Sequence, residues 1–351
     1  MALAPHFKPL KQRGLRLLPI GKDFTLEPFA RYGKIKHMQY QQLGKTDLIV
    51  SRICFGCWQQ SPKFWGEVDQ DAWEKAVFGA PENGVNFIDT ADAYGDGYAE
   101  SRLGEVLTKH NIRDKYIIAT KFYWNFTDPQ NRFPDTRHDY ILQECEASLK
   151  RLQTDHIDLY QIHAWDALLR PEEVAAAFAK LKREGKVRWF GVSNWNSDQM
   201  RMLQKYFPIE CLQPHYNLIA RDIEERELPF CLENRIGVIA YSPLHRGLLT
   251  GKYAPDHKFT DSRNGAKYFS GEPFKKILEA LNSLKPIAEK YELTIPQLSI
   301  AWLLTQPAIT STIVGIKTLD HIATIVPATT VLLEQNDWHH VANVIEKAKG
   351  E

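Results

Sequence analysis

The chain has 351 residues, and its 44% of hydrophobic and 25% of charged residues are typical of a folded globular protein. Its 44 Lys and Arg balance 43 Asp and Glu to a formal net charge of +1, which excludes a global electrostatic attraction to nucleic acid. No apolar run reaches about 18 residues, so the sequence predicts no membrane-spanning helix, and no secretory signal pattern is present.

Residues 1–37 differ in composition from the rest of the chain. They contain eight Lys or Arg, and their only acidic residues are Asp23 and Glu27. We interpret them as an N-terminal extension of unclear role that precedes a single domain over 38–351. An organelle-targeting peptide is an alternative because the segment is basic and poor in acidic residues, although it lacks the serine such peptides favour.

The domain is predicted to begin with a β-hairpin and to continue with eight short strands. Polar and apolar residues alternate on both sides of the turn-forming cluster at 44–47, which is typical of a hairpin. The β-rich runs that follow, each bounded by polar or turn residues, are 53–56, 86–89, 116–121, 157–163, 188–193, 211–216, 237–241 and 311–315.

Helical patterns separate these runs. Pro171 and Ser197 are predicted to lie at helix starts and Gly185 at a helix end. The predicted helical segments are 97–110, 138–153, 171–186, 197–207, 223–235, 273–291 and 295–306. Strands that alternate with helices pair in parallel through right-handed crossovers. The sequence therefore predicts an α/β fold, either an open doubly wound sheet or a closed (β/α)8 barrel.

Two observations favour the closed (β/α)8 TIM barrel. The strands number eight, and polar residues end most of them instead of clustering at one switch point. These polar residues are Asp89, Lys121, His163, Ser193, Asn194, Gln213, Tyr241 and Ser242. The usual dinucleotide-binding loop is absent, because no G-x-G-x-x-G motif follows the first strand and the nearest match, at 95–100, follows the second.

The five cysteines are odd in number and lie mostly in apolar runs. We expect reduced thiols in a cytoplasmic protein and no disulfide framework. Cys54 and Cys57 form a C-x-x-C pair, but no second pair and no histidines at ligand spacing lie nearby in the sequence. Two buried structural cysteines are therefore favoured over a redox or metal role, and no metal site is predicted.

Four residues at neighbouring strand ends form a candidate catalytic site. Asp89 and Tyr94 follow the second predicted strand, Lys121 ends the third and His163 ends the fourth. Taken singly, each has an ordinary structural explanation, but together they would ring one mouth of a barrel. Asp89 would pair with Lys121, whose ammonium would lower the pKa of Tyr94, and His163 would orient a carbonyl oxygen. This set suits carbonyl reduction by hydride transfer.

At these residues the chain resembles the aldo-keto reductase superfamily. The resemblance rests on the ordered motifs FIDTADAYG, ATKF, DLYQIHAWD, EGKVRWFGVSN, LQPHYNL and AYSPLHRGLLTGK, and it covers nearly the whole chain after the extension. It implies a (β/α)8 barrel sealed at the bottom by the N-terminal hairpin, with an extended NADP(H) or NAD(H) across the mouth. By motif position, Asp89, Tyr94, Lys121 and His163 match the family tetrad, with Tyr94 as general acid/base.

The resemblance also implies cofactor-binding residues. Ser193, Asn194 and Gln213 match the residues that hold the nicotinamide carboxamide, and Tyr241 matches the aromatic residue that stacks on the nicotinamide ring. The other matches are Ser242, Pro243, Leu244 and Arg246 at the pyrophosphate, Lys252 and Arg263 in a long cofactor-covering loop, and Gly315, Lys317, Thr318 and His321 at the adenosine phosphate.

The adenosine end departs from the family pattern. Thr324 and Ile325 stand where related reductases often place an acidic or amide residue followed by Asn. His321 stands where Arg or Gln is common, and the charge of a histidine is partial at neutral pH. Recognition of a 2′-phosphate would therefore rest mainly on Lys317 and Thr318. We expect NADP(H), with NAD(H) as the alternative.

The predicted substrate pocket has an aromatic rim. Trp58, Trp124 and Trp165 follow the first, third and fourth strands, which suits an apolar or ring-shaped carbonyl. The main hypothesis is an NAD(P)H-dependent reductase of aldehydes or ketones, a monomer or homo-oligomer without nucleic-acid or membrane partners.

Two alternatives remain at this point. One is a sugar or alcohol dehydrogenase that works in the oxidative direction with NAD(P)+. The other is a regulatory nicotinamide sensor that resembles the β subunits of potassium channels. A sensor has no need of a complete catalytic set, and the presence of all four residues argues against it.

Overall fold

The computed structural model describes residues 37–61, 68–128 and 130–350, which fall in one compact unit. Of the predicted extension only His37 is described, so the interpretation of residues 1–36 lies outside the described residues. The boundary of the domain at residue 38 stays a prediction.

Eight parallel strands close into a barrel, as predicted. An antiparallel hairpin of β1 (Tyr40–Gln42) and β2 (Ile49–Ser51) precedes it, and a small ribbon of β6 (Trp124–Asn125) and β7 (Phe133–Pro134) follows its third strand. The barrel strands are β3 (Ile53–Gly56), β4 (Phe87–Asp89), β5 (Ile117–Phe122), β8 (Ile157–Ile162), β9 (Val187–Ser193), β10 (Cys211–Gln213), β11 (Gly237–Tyr241) and β12 (Ile309–Gly315). Each lies within a few residues of its predicted range.

The helices form the outer layer. In the described residues they are α1 (Gln70–Gly79), α2 (Tyr98–His110), α3 (His138–Leu152), α4 (Pro171–Arg183), α5 (Ser197–Gln204), α6 (Glu227–Asn234), α7 (Gly271–Ser283), α8 (Lys285–Lys290), α9 (Ile295–Thr305), α10 (Leu319–Ile325) and α11 (Gln335–Lys349). Helices α1, α10 and α11 were not predicted.

Two details of the helix prediction were wrong. The N-cap of α5 is Asn196 and not Ser197, because the Asn196 side chain accepts from the backbone of Gln199 while the Gln199 side chain accepts from the backbone of Asn196. The single helix predicted over 273–291 is divided into α7 and α8, which meet at Leu284. The chain can restart a helix there because Pro286 lies in the first turn of α8, where its missing N–H costs nothing.

The barrel interior has an apolar lower part that the hairpin covers. Leu43, Leu48 and Val50 of the hairpin are buried against interior side chains such as Phe87 and Leu159. The fit is close, because a Cβ on Gly237 at the start of β11 would lie 2.4 Å from Leu43 Cδ1. The hairpin therefore seals the N-terminal end of the barrel, and the carboxyl ends of the strands form the open mouth.

Candidate active site

A tight turn after β4 presents Tyr94 at the barrel mouth. Gly95 and Gly97 adopt left-handed backbone conformations with φ of +64° and +86°, which glycine reaches without strain. The Tyr94 backbone is held on both sides, since its N–H donates to the Ala91 carbonyl at 3.2 Å and its carbonyl accepts from Ala99 at 3.1 Å. The turn runs directly into α2 and fixes Tyr94 relative to the barrel.

A buried lysine joins the Tyr94 hydroxyl to a carboxylate. The Lys121 Nζ donates to Asp89 Oδ1 at 2.7 Å, to the Thr90 carbonyl at 2.8 Å and to the Tyr94 hydroxyl at 3.2 Å. Lys121 is fully buried and Asp89 almost so. A buried ammonium requires such partners, and here they account for all three of its N–H groups.

The fourth predicted residue, His163, lies beside Tyr94. The two ring centroids are 5.8 Å apart with an interplanar angle of 74°, an edge-to-face contact. Burial and the nearby Lys121 charge lower the pKa of His163 to about 3. The imidazole is therefore neutral and can donate one N–H bond to a substrate oxygen without competing as an acid.

The net pKa of Tyr94 differs from the sequence-based expectation. Burial raises the pKa of Tyr94 to about 12, and the opposing effect of the Lys121 ammonium is smaller. The expected sign of the lysine effect is confirmed, but the expected net lowering was wrong because desolvation of the phenolate outweighs it. Tyr94 therefore carries its proton at neutral pH, the state required of a proton donor.

The residues assigned to the nicotinamide carboxamide are bonded to one another. Ser193 donates to the Gln213 carbonyl at 2.9 Å, and Asn194 donates to Ser193 Oγ at 3.0 Å and to the His163 carbonyl at 3.2 Å. The Tyr241 hydroxyl donates to Asn194 Oδ1 at 2.9 Å. These bonds hold the side chains of Ser193, Asn194 and Tyr241 together beside the backbone of Gln213, at the ends of β9, β10 and β11.

The loop after β11 has an unusual backbone. Ser242, His245, Arg246 and Gly247 have φ values of 56°, 44°, 52° and 90°. The His245 N–H donates to the Ser242 carbonyl and the Gly247 N–H to the Leu244 carbonyl, both at 2.9 Å, so the loop is a tight turn closed by its own backbone. Pro243 and Leu244 lie within the same loop, and Arg263 donates to the Arg246 carbonyl at 3.1 Å, which ties the loop to the following segment.

Positive charges from separate segments collect near this loop. Burial and the charges of Lys252 and Arg263 lower the pKa of Lys317, and burial and the charges of Lys317 and Lys252 lower the pKa of His321. Burial and the Arg263 charge likewise lower the pKa of Arg246. Basic groups that repel one another in this way would be stabilised by a polyanion such as a dinucleotide pyrophosphate. The donor set therefore fits the predicted cofactor.

Gly315 and Thr318 lie on the mouth side of the barrel, since Gly315 ends β12 and Thr318 is the N-cap of α10.

Aromatic side chains surround the mouth. The Trp165 and Trp195 rings meet edge to face with centroids 4.8 Å apart, and Tyr123 packs on Trp124 at 5.0 Å. The Tyr123 hydroxyl donates to the Trp165 carbonyl at 3.0 Å. Trp58 follows β3 and is half-buried. It belongs to a different part of the chain from these four aromatic residues.

Sequence reasoning missed a group of residues at the mouth and one residue inside the barrel. His215, His245 and Phe269 extend a stack that begins at Tyr241, with interplanar angles of 15°, 22° and 14° along the column. Nothing in the sequence pattern marks this stack. Gln161 is buried beside Asp89 and Gln213, and here a signal existed, since it precedes His163 by two residues and so faces the same side of the strand.

All five cysteines are buried and free. Cys54 and Cys57 are therefore buried thiols, as expected, and burial raises the pKa of both. In residues 37–61, 68–128 and 130–350, no group of three or more His, Cys, Asp or Glu side chains is arranged to hold a metal ion. No helix among these residues is long and apolar enough to cross a membrane.

Comparisons with known proteins agree with this geometry. The sequence profile of the Aldo/keto reductase family matches residues 52–346. The chain is 35% identical over 312 residues to aldo-keto reductase YhdN of Bacillus subtilis, covering 88% of this chain and 94% of that protein. It is 31% identical over 310 residues to the NADH-specific methylglyoxal reductase of Escherichia coli, covering 84% and 94%.

A solved structure shows the same fold. The glycerol dehydrogenase AKR11B4 from Gluconobacter oxydans superposes with a TM-score of 0.81 at 31% identity. The match covers 89% of this chain and 96% of that protein. The fold of this chain is therefore shared with an enzyme of known structure.

Proposed function

The chain belongs to the aldo/keto reductase family and is an NAD(P)(H)-dependent oxidoreductase of carbonyl or alcohol groups, and from that premise we propose that it reduces an aldehyde or ketone with Tyr94 as proton donor. The observation that carries the proposal is the single ammonium of Lys121 in contact with both Asp89 and the Tyr94 hydroxyl. A bound nicotinamide cofactor would supply the hydride.

Each of the four side chains would have its own role in the transfer of the proton. The neutral imidazole of His163 would donate a hydrogen bond to the carbonyl oxygen and orient it. As negative charge develops on that oxygen, the Tyr94 hydroxyl would transfer its proton, and the Lys121 ammonium would stabilise the tyrosinate that remains. Asp89 keeps the ammonium in place at 2.7 Å. In the oxidative direction the same groups would remove a proton from an alcohol.

We assign the cofactor to the residues of the mouth. Ser193, Asn194 and Gln213 would hold the carboxamide, and Tyr241 would stack on the nicotinamide ring. The left-handed loop with Ser242, Pro243, Leu244 and Arg246 would take the pyrophosphate. The segment with Lys252 and Arg263 would cover it, and Gly315, Lys317, Thr318 and His321 would hold the adenosine phosphate. Trp58, Trp124 and Trp165 would line the substrate pocket.

The test is a panel of aldehydes and ketones assayed with NADPH and NADH, run on the wild type and on Tyr94→Phe. The variant is expected to lose about 10²-fold or more in kcat, because it keeps the ring but lacks the transferred proton. Tyr98→Phe is the matched control: Tyr98 is exposed in the first turn of α2 and should retain wild-type activity. A loss below about tenfold in Tyr94→Phe would remove Tyr94 from the general-acid role.

One observation favours a second function, an alcohol or sugar dehydrogenase. The solved structure most relevant to direction is named a glycerol dehydrogenase, and the residues proposed here serve either direction. Assays of polyols with NADP+ and NAD+ decide between them: oxidation with kcat/KM well above that of every carbonyl tested would favour the dehydrogenase.

The choice of cofactor is the finer part of the proposal. The basic groups near Lys317 support NADP(H), whereas the name of the E. coli relative, NADH-specific methylglyoxal reductase, supports NAD(H). We keep NADP(H) because a 2′-phosphate would neutralise charges that otherwise repel one another.

A further inference from the structure

Gln161 lies inside the barrel, at the same level as Lys121. It faces Lys121 across the β5–β8 pair and Gly191 across the β8–β9 pair. Gly191 leaves the space that this side chain occupies, since a Cβ there would lie 3.2 Å from Gln161 Cγ and 2.9 Å from Cys211 Cβ. Gln161 is fully buried, so a substrate at the mouth does not reach it.

The amide of Gln213 is held by two acceptors at once. Its Nε2 donates to Asp89 Oδ2 at 2.8 Å and to Gln161 Oε1 at 3.3 Å. A carboxylate only accepts hydrogen bonds, so the Gln213 atom that faces Asp89 is the NH2 group. Both N–H bonds of that group are then used, and the amide oxygen of Gln213 is turned away from Asp89.

We propose that Gln161 is a positioning residue: it fixes the Gln213 amide so that Nε2 donates to Asp89 while Oε1 accepts from the NH2 of the nicotinamide carboxamide. The inference rests on the proposed function, which assigns the carboxamide to Gln213. Loss of Gln161 would leave the second N–H bond of the Gln213 amide without its acceptor. The amide plane could then turn about the remaining bond to Asp89, which would move Oε1 out of line with the carboxamide NH2.

The same contacts link cofactor recognition to proton transfer. Burial raises the pKa of Asp89, whereas the Lys121 ammonium and the amides of Gln213 and Gln161 lower it. The Asp89 carboxylate, which holds Lys121 against Tyr94, is thus stabilised by Gln213, the residue proposed to bind the carboxamide. One side chain in the wrong orientation would disturb both tasks.

The test compares two cofactors on the wild type and on Gln161→Met, which keeps the side-chain length and removes both polar groups. The probes are oxidised NADP+ or NAD+, whichever binds tighter, and its 3-acetylpyridine analogue, in which a methyl replaces the carboxamide NH2. Binding is measured by quenching of tryptophan fluorescence. The wild type is expected to prefer the carboxamide about tenfold or more, because the analogue leaves the Gln213 oxygen unpaired. Gln161→Met is expected to reduce that preference to about threefold or less.

Two further variants separate positioning from a general structural defect. Gln161→Asn is too short to reach Gln213 and is expected to lose the preference as well; it also serves if Gln161→Met does not fold. Tyr160→Phe alters the residue that precedes Gln161 in the same strand and faces the opposite side. This variant is expected to keep the preference for the carboxamide. A structural defect would weaken the binding of both probes equally and leave their ratio unchanged.

The failures are distinguishable. If the wild type binds no nicotinamide dinucleotide, the proposed function is wrong. If the wild type binds the natural cofactor but does not discriminate against the analogue, or if both Gln161 variants keep the wild-type ratio, the inference about Gln161 is wrong while the proposed function stands.

Discussion

Lys121 decides the chemistry of the site at the scale of single residues, because its ammonium contacts both a carboxylate and a phenol. Burial works against the charged form, but Asp89 and Tyr94 outweigh it and the pKa of Lys121 is raised. The site thus keeps a positive charge in an interior where an unpaired one would be costly. Tyr94 and His163 beside it are both neutral at physiological pH, the states that the proposed roles of proton donor and hydrogen-bond donor require.

Lys317 is the residue on which the cofactor preference is predicted to depend. In Lys317→Met, kcat/KM with NADPH is expected to fall about tenfold or more, since a charge-assisted bond to a phosphate contributes roughly 1.5–3 kcal/mol. With NADH the same variant should change less than about threefold, so NADH is the control within one protein. Equal losses with both cofactors would show that Lys317 does not read the 2′-phosphate.

At the scale of elements, the packing of α2 on α3 holds the end of the Tyr94 turn. The two helices meet at Gly104, which is buried and has no room for a side chain: a Cβ there would lie 2.3 Å from the Arg151 carbonyl oxygen. Arg151 of α3 also donates to Glu100 in the first turn of α2 at 2.7 Å. The contacts of α2 with α3 therefore fix the helix into which the turn after β4 runs.

Gly104→Ala is predicted to destabilise the protein by about 1–3 kcal/mol, because the added methyl group forces the helices apart. The direction of this stability change is informative, because a Gly-to-Ala substitution inside an exposed helix normally stabilises the folded state by about 1 kcal/mol. Urea denaturation followed by circular dichroism measures the free energy of unfolding. Thr108→Ala, on an exposed position of α2, is the control and should be neutral or slightly stabilising. A Gly104→Ala protein as stable as the wild type would contradict the packing described.

At the scale of the whole molecule, the hairpin that closes the barrel has a buried carboxyl group beside it. Glu210 precedes β10 and is 7% exposed, and its Oε2 has no hydrogen-bond partner in the described part of the chain. A Cβ on Gly44 of the hairpin turn would lie 2.9 Å from the Glu210 carbonyl oxygen. Burial raises the pKa of Glu210 to about 7, against the lowering effect of Lys182.

The raised pKa predicts a definite dependence of stability on pH. Between about pH 4.5 and 7 the unfolded chain releases the Glu210 proton while the folded chain retains it, so this group destabilises the fold progressively as pH rises and the effect levels off above 7. Glu210→Gln removes the titration. The variant is expected to be more stable than the wild type at pH 8 by about 1–3 kcal/mol, with a smaller difference at pH 5.

Denaturant unfolding of both proteins at pH 5 and pH 8 measures this difference. Titrations elsewhere in the chain cancel, because the two proteins share every other group. A stability difference that is the same at both pH values would mean that Glu210 does not titrate in this range.

The sequence by itself determined the strand order and the position of the candidate catalytic residues along it. Local patterning is sufficient for this, because an alternating run of strands and helices admits few topologies and parallel strands place their carboxyl ends together. Asp89, Lys121 and His163 each end a predicted strand, so their meeting at one mouth could be predicted. The turn at Gly95 and Gly97 was likewise readable from residue type alone.

Only the tertiary structure decided how these groups act on one another. The net pKa of Tyr94 depends on the balance between desolvation and the charge of Lys121, and that balance requires distances and burial that no spacing in the chain encodes. The bond between Gln213 and Gln161 joins residues from strands that are not neighbours in the barrel. Such contacts arise when the barrel closes, because closure brings side chains far apart in sequence into one interior layer.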